Sequence, residues 1–175
     1  MVRNAAFAVP GDLATPTGGY VYDRRIIAEL SLRDWRIEVV DLGDGFPYPA
    51  ADTRTAACAR LAALPPGHPV VIDGLAFGVL AEAAAALRAS HPLVALVHHP
   101  LALESGLSAA DAAALRARER SALACARHVI ATSPAVARLL VDDYGVAAGR
   151  VSVVAPGTDR VSPPPLRLPA RIQET

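Results

Sequence analysis

Two short pairs of residues, Gly18–Gly19 and His98–His99, are the features of this chain best suited to binding or transforming a ligand. Glycine lets the backbone approach a ligand closely, and the N–H groups and dipole at the start of a helix attract phosphate. The glycine pair therefore suggests a phosphate contact, although a plain turn between strand and helix would use the same residues. Neither a G-x-G-x-x-G motif nor a P-loop surrounds the pair, which argues against a nicotinamide or ATP site.

The histidine doublet follows a short apolar run, so we expect it at the end of a strand. Adjacent residues on a strand point to opposite sides, and we therefore expect no shared metal ligation by His98 and His99. Ordinary hydrogen bonds at the start of a loop are the alternative to a functional role.

Further polar side chains flank these pairs. Tyr20, Tyr22 and Arg24 alternate at the start of the first predicted helix, where they could face a cleft and bind hydroxyls or phosphate. Alternatively, Tyr22 packs against the sheet and Arg24 is solvated. Asp12 is either a ligand contact or a turn residue bonded to its own backbone. Asp73 follows an apolar strand, and capping the next turn is its favoured role over that of a cleft carboxylate.

Composition narrows the class of protein. The 175 residues suit one domain, and 53% are apolar, which predicts a folded globular domain. Seventeen basic and seventeen acidic residues cancel, which argues against a nucleic-acid binder. Every basic residue is Arg, so no Schiff-base or P-loop lysine exists.

Cys58 and Cys125 lie far apart and are predicted to be free thiols. The N-terminal apolar run is too brief for a signal peptide or membrane span, so a cytoplasmic protein is the default expectation.

Short apolar runs alternate with segments of helical composition along the chain. We predict strands at 2–9, 36–42, 70–73, 93–97, 128–132 and 150–154, and helices at 20–32, 53–64, 80–89, 108–127 and 134–143. This alternation predicts an α/β fold, a doubly wound, Rossmann-like parallel sheet of about six strands in three layers, α/β/α. Ligands of such sheets bind outside the carboxyl ends of the strands. The glycine pair and the histidine doublet should therefore meet at one rim of the sheet.

Four stretches, taken in order, resemble the N-terminal lobe of the group 1 (family 4) glycosyltransferases. They are 10–25, 71–75, 93–100, and 129–134 followed by 150–159. The resemblance implies a GT-B architecture, in which residues 1–159 form the acceptor-side lobe and 160–175 a Pro-rich tail or interdomain linker. It also implies sugar transfer with retention, without a catalytic metal or another cofactor. The donor-binding lobe, with its basic pair and paired glutamates, is absent from this sequence.

The resemblance also assigns roles to individual residues. It implies that His98 is catalytic and contacts the transferred sugar, and that Gly18 and Gly19 touch the donor diphosphate. His99 stands where the family pattern often has an acid. Acceptor contacts are expected from the polar residues around the first loop and helix and from the second histidine: Asp12, Thr17, Tyr20, Tyr22, Arg24 and His99.

The implied partners are a nucleotide-diphosphate sugar and an acceptor, both shared with a second lobe, so this chain alone is expected to be inactive. A non-catalytic Rossmann-like binding or dimerisation module, which predicts an exposed apolar patch, remains an alternative. A small domain binding another phosphate ligand at the glycine pair is a third hypothesis.

Arginines of the fourth helix fall on more than one face, which favours a solvated helix. Weak membrane association and a homodimer remain open alternatives. The sequence does not specify the sugar, nucleotide or acceptor.

Overall fold

The computed structural model describes residues 3–158, which form one parallel sheet with its connecting helices. The strands are β1 Arg3–Val9, β2 Trp35–Asp41, β3 Val70–Asp73, β4 Leu93–Val97, β5 His128–Ala131 and β6 Val151–Val153. The helices are α1 Gly18–Ser31, α2 Ala51–Ala62, α3 Gly74–Phe77, α4 Ala81–Leu87, α5 Ala109–Cys125 and α6 Pro134–Asp142, and short 3₁₀ turns occur at Leu101–Leu103 and Ala148–Arg150.

All neighbouring strands pair in parallel, in the order β2-β1-β3-β4-β5-β6. The chain moves from β1 to the edge strand β2, then crosses back and continues in the opposite direction from β3 to β6. Between β1 and β3 the connections diverge to the two sides, which is the topological switch point where such sheets open a crevice. The sequence prediction of a doubly wound, Rossmann-like parallel sheet of six strands is therefore confirmed.

The two faces of the sheet are covered unequally. Helices α2 to α6 pack on one face, where the main core includes Leu61, Phe77 and Leu123 together with sheet residues such as Ile72 and Ala95. On the other face α1 is the helix in the described part of the chain that packs against the sheet, through Tyr22, Ile26 and Ile27. The α/β/α layering is thus present, but one of its layers consists of a single helix over residues 3–158.

The partial cover leaves an apolar groove of about 290 Å³ beside α1. Its walls combine Ile26 and Leu30 of α1 with Val71 and Ile130 of the sheet, and Val154 also lines it. Val154 keeps 37% of its surface exposed, so this part of the groove is open to solvent. We call this surface the α1 groove.

A side-chain hydroxyl caps the start of three helices. Thr17, Ser108 and Ser133 each accept a hydrogen bond from the backbone N–H three residues later, at 3.1–3.2 Å. Such caps satisfy N–H groups that the helix itself leaves unpaired. The predicted caps at Ser108 and Ser133 are confirmed, and Pro134 occupies the first helical position, as predicted.

Differences from the sequence prediction are confined to element ends and to one short helix. The first helix was predicted to begin at Tyr20, but Thr17 caps it, so both glycines belong to its first turn. The one-turn helix α3 was not predicted, because four residues show no helical periodicity. Residues 159–175, which hold the predicted Pro-rich tail, lie outside the described residues. Among residues 3–158, no helix combines the length and apolar character that crossing a membrane requires.

Candidate functional site

Several residues singled out in the sequence line a cavity of about 240 Å³ at the carboxyl ends of β3 and β4, whereas Asp12, Tyr22 and Arg24 do not. The first turn of α1 contributes Gly19 and Tyr20, β3 contributes Asp73, and the loop after β4 contributes His98 and His99. Thr17, Leu75, Leu101 and Glu104 complete the lining. The cavity lies beside the switch point, where the two directions of winding expose the start of α1 to the strand ends.

The second glycine of the pair, Gly19, lies directly beside the first histidine, His98. A Cβ atom placed on Gly19 would lie 3.5 Å from Cδ2 and 3.6 Å from Nε2 of His98. At Gly18 a Cβ atom would meet no atom of the described residues within 4 Å. Gly19, His98 and His99 thus lie at one rim of the sheet, as predicted, whereas Gly18 does not line the cavity.

The imidazole ring of His98 is held by two buried carboxylates. Its Nε2 lies 3.1 Å from Oδ1 of Asp23 and 3.4 Å from Oδ2 of Asp73. The side chain of Asp23 is fully buried and that of Asp73 is 4% exposed, whereas the His98 side chain keeps 25% of its surface exposed. We call Asp23, Asp73 and His98 the carboxylate clamp.

The clamp changes the acidity of its members. Burial alone lowers the pKa of His98, but the hydrogen bonds and negative charges of Asp23 and Asp73 outweigh burial and raise that pKa from 6.5 to about 9. Burial raises the pKa of Asp23 to about 6, partly offset by the hydrogen bond with His98, while the charge of Asp73 raises it further. At neutral pH the clamp thus consists of an imidazolium between two carboxylates.

A divalent cation is the other group that such a cluster could hold, since one ligand atom from each of the three residues lies within 4.8 Å of the others. A metal would require the Nε2 lone pair of His98. Both carboxylates contact that same nitrogen at hydrogen-bonding distances, so a proton accounts for the arrangement. One buried oxygen, Oδ2 of Asp23, has no hydrogen-bond partner among the described residues.

Asp73 combines two roles. Its Oδ1 accepts a hydrogen bond from the backbone N–H of Leu75 at 2.7 Å, which confirms the predicted cap, and its Oδ2 faces His98. Gly74 follows directly, and a Cβ atom there would lie 2.9 Å from the carbonyl oxygen of Leu96. This close contact between α3 and β4 brings the carboxylate of Asp73 and the ring of His98 together.

Neighbouring side chains also restrain the ring and the backbone of His98. The ring of Tyr22 meets the imidazole edge to face, with centroids 5.2 Å apart. Tyr22 is 8% exposed, and its hydroxyl donates to the carbonyl oxygen of Val154 at 2.8 Å. The hydroxyl of Thr132 donates to the backbone carbonyl of His98 at 3.3 Å. The alternative that Tyr22 packs against the sheet is therefore observed, and its acceptor contact remains a prediction.

Tyr20, Arg24 and Asp12 shape the loop between β1 and α1. The hydroxyl of Tyr20 donates to the carbonyl of Pro10, and the guanidinium of Arg24 donates to the carbonyls of Leu13 and Thr15. Oδ1 of Asp12 accepts from the N–H of Ala14 at 2.8 Å, which is the turn bond considered in the sequence. Burial, with the nearby carboxylates, raises the pKa of Tyr20 to about 12, so its hydroxyl stays protonated. The acceptor contacts expected of these residues remain predictions.

The segment that follows the histidines is tied to α5 by Glu119. This carboxylate is 4% exposed and accepts from the N–H groups of Leu101 at 2.7 Å and Ala102 at 3.2 Å, and from the hydroxyl of Tyr144 at 3.2 Å. Burial raises the pKa of Glu119, although these three hydrogen bonds oppose the change. Glu119 thereby holds Leu101, which lines the cavity.

Sequence reasoning missed Asp23 and Glu119. The signal for Asp23 was available, since it follows Gly19 by four residues and therefore shares its face of the helix. His99, which was included, lines the cavity but is exposed. A larger hollow of about 490 Å³ lies at the amino ends of β4 and β5. Its buried His91 already has partners for both ring nitrogens, in Ser90 and in the carbonyls of residues 64 and 65, so we place the functional site at the carboxyl ends.

Together, the doubly wound sheet and the cavity at its switch point define a Rossmann-like domain. The sequence model of Glycosyltransferase Family 4 matches residues 18–161, which are 144 of the 175 residues. The chain belongs to this glycosyltransferase family, and the family predicted from the sequence motifs is thereby confirmed. A search of curated proteins gives no match.

Proposed function

We propose that this chain is the acceptor-side lobe of a retaining, GT-B glycosyltransferase that moves a sugar from a nucleotide-diphosphate donor to an acceptor. In this proposal a second lobe supplies most donor contacts. Family membership supports sugar transfer in general. The observation that carries the proposal is that Gly19 and His98 lie side by side at one cavity at the switch point.

Gly18 supplies a more specific argument. It lies in a helix, is exposed, and a Cβ atom there would touch nothing within 4 Å. A side chain would therefore fit at this first residue of α1, and the described residues give no packing reason for glycine there. A diphosphate approaching the N–H groups of the first turn of α1 supplies one, since a side chain would hold it away.

Within this proposal, the donor phosphates lie against Gly18 and Gly19, and His98 contacts the transferred sugar. The acceptor is held along the rim by Asp12, Thr17, Tyr20, Tyr22, Arg24 and His99. The position of Tyr20 in the cavity lining supports its part in this proposal, and Arg24 donates to carbonyls of the neighbouring loop.

The test uses UDP and GDP as probes and follows the backbone amides of residues 17–20 by NMR. We expect weak, millimolar binding with shifts at these amides, since most donor contacts belong to the other lobe. Gly18→Ala should weaken binding about tenfold, equivalent to about 1.4 kcal/mol. The matched control is Gly149→Ala, where a Cβ atom also meets nothing within 4 Å. Tight stoichiometric binding, absence of shifts in the loop, or an unchanged affinity in Gly18→Ala would each contradict the proposal.

A second candidate is a non-catalytic module that dimerises or binds a partner, and the α1 groove favours it. Val154 and Val153 are 37% and 43% exposed, and they lie on opposite sides of the chain at the end of β6. If the groove joins two copies, light scattering should show a dimer that Val154→Asp dissociates and the matched control Val153→Asp does not. A monomer over the whole concentration range would exclude dimerisation.

A further inference from the structure

We propose that Asp23 and Asp73 are positioning residues that hold His98 as a hydrogen-bond donor toward a bound ligand, with its Nε2 proton shared between them. The ligand class is one with an acceptor oxygen, either a sugar hydroxyl or a phosphate. This inference rests on the proposed function for the identity of the ligand, but the clamp itself is a property of the chain alone.

Geometry fixes which ring nitrogen is available. Both carboxylate contacts, at 3.1 and 3.4 Å, are made by Nε2, so Nδ1 is the nitrogen left for a ligand. A histidine whose second nitrogen is held by a carboxylate has its ring orientation and proton position set by that partner. The edge contact with Tyr22 and the hydrogen bond from Thr132 to the His98 carbonyl restrain the ring and backbone further.

The charge of the His98 ring determines whether Nδ1 donates or accepts a hydrogen bond. The charged and titratable groups around His98 come from three places: Asp23, Tyr20 and Tyr22 of α1, Asp73 of β3, and His99 and Glu104 of the loop after β4. The two carboxylates of the clamp contact the ring directly, and their negative charge favours the imidazolium. An imidazolium has an N–H on both nitrogens and no lone pair to accept a proton. His98 therefore donates through Nδ1 and does not act as a general base at neutral pH.

The buried position of Asp23 indicates that its charge is maintained at a cost. A fully buried carboxylate with one unpartnered oxygen is unfavourable unless an opposite charge compensates it. The imidazolium of His98 is that compensating charge. A purely structural core at this position of α1 would be better served by an apolar residue, such as those that line the rest of this face.

The experiment follows the ring nitrogens of His98 by ¹⁵N NMR in the 175-residue chain as a function of pH. We expect both nitrogens to carry protons at pH 7.5 and a titration midpoint well above that of an ordinary histidine. In Asp23→Asn, which keeps the size of the side chain, the midpoint should fall by about one pH unit or more, because one neighbouring negative charge is lost. His91 and His128 in the same spectra serve as internal references, and Asp142→Asn, at an exposed carboxylate of α6, is the matched control.

Asp73→Asn provides an independent variant, since its Oδ1 can still cap Leu75. It should lower the same midpoint. An ordinary midpoint in the wild type, a neutral ring at pH 7.5, or an unchanged midpoint in the folded Asp23→Asn protein would overturn the clamp. None of these measurements requires sugar or nucleotide, so failure of the clamp is distinguishable from failure of the proposed function.

Discussion

The carboxylate clamp predicts that the free energy of unfolding falls as the pH rises from 6 to 9.5. The folded-state pKa of His98, about 9, lies above its unfolded value of 6.5. A group of this kind contributes stability that is fully present below 6.5 and is lost as the pH passes through 9. Each pH unit between the two values corresponds to about 1.4 kcal/mol, which gives a loss of about 3 kcal/mol.

The ionisation of Asp23 also lowers the free energy of unfolding as the pH rises, but in a lower pH range. Its folded pKa of about 6 lies above its usual 3.8 because burial disfavours the charged form. The folded protein therefore binds this proton more tightly than the unfolded chain, and stability falls between pH 4 and 6. In Asp23→Asn the fall in stability between pH 4 and 6 should disappear. The fall above pH 6.5 should become smaller, because His98 keeps one neighbouring carboxylate instead of two.

The assay is urea unfolding followed by circular dichroism at half-unit intervals from pH 4 to 9.5, for the wild type and Asp23→Asn. Other ionisable groups occur in both proteins, so the difference between the curves isolates the clamp. The window ends at 9.5 because tyrosines begin to ionise above it. A wild-type curve that is flat within about 0.5 kcal/mol from pH 6 to 9.5, or two parallel curves, would refute the reasoning.

Two further predictions concern the packing that positions the site, and both are measured by urea unfolding. Gly74→Ala should destabilise the protein by about 1–3 kcal/mol, because its Cβ atom would lie 2.9 Å from the backbone oxygen of Leu96, whereas Gly149→Ala should not. Glu119→Gln should destabilise it by about 1–3 kcal/mol, since an amide can accept from the N–H of Leu101 but turns its NH₂ group toward the other two donors. Unchanged stability in either variant would count against the corresponding contact.

The sequence predicted the sheet well because its strands are continuous apolar runs that leave little choice of structure. β3 and β4 were predicted at their observed bounds, 70–73 and 93–97. Every long helix was found, with ends displaced by one to two residues. The start of α1 was misplaced because a hydrogen bond to Thr17, rather than periodicity, determines where that helix begins.

The site was predicted less completely, for a physical reason. Gly19 and His98 could be placed at one rim because the carboxyl ends of parallel strands share an edge. Asp23 and Glu119 were missed because an acid within a helix is normally solvated, and only tertiary packing buries these two. Tyr20 and Arg24 were interpreted as facing a ligand, and the structure adds hydrogen bonds to loop carbonyls that no sequence pattern encodes.

Glu119 joins two parts of the chain that are distant in sequence. Its carboxylate receives the N–H groups of Leu101 and Ala102, and a Cβ atom on Gly78 would lie 2.8 Å from its Cγ. The helix and the backbone just beyond the histidines are thus joined by Glu119 and by the packing of Leu115 against Leu101 and Ala102. A displacement of α5 would therefore move Leu101, which lines the cavity, without first passing through the sheet.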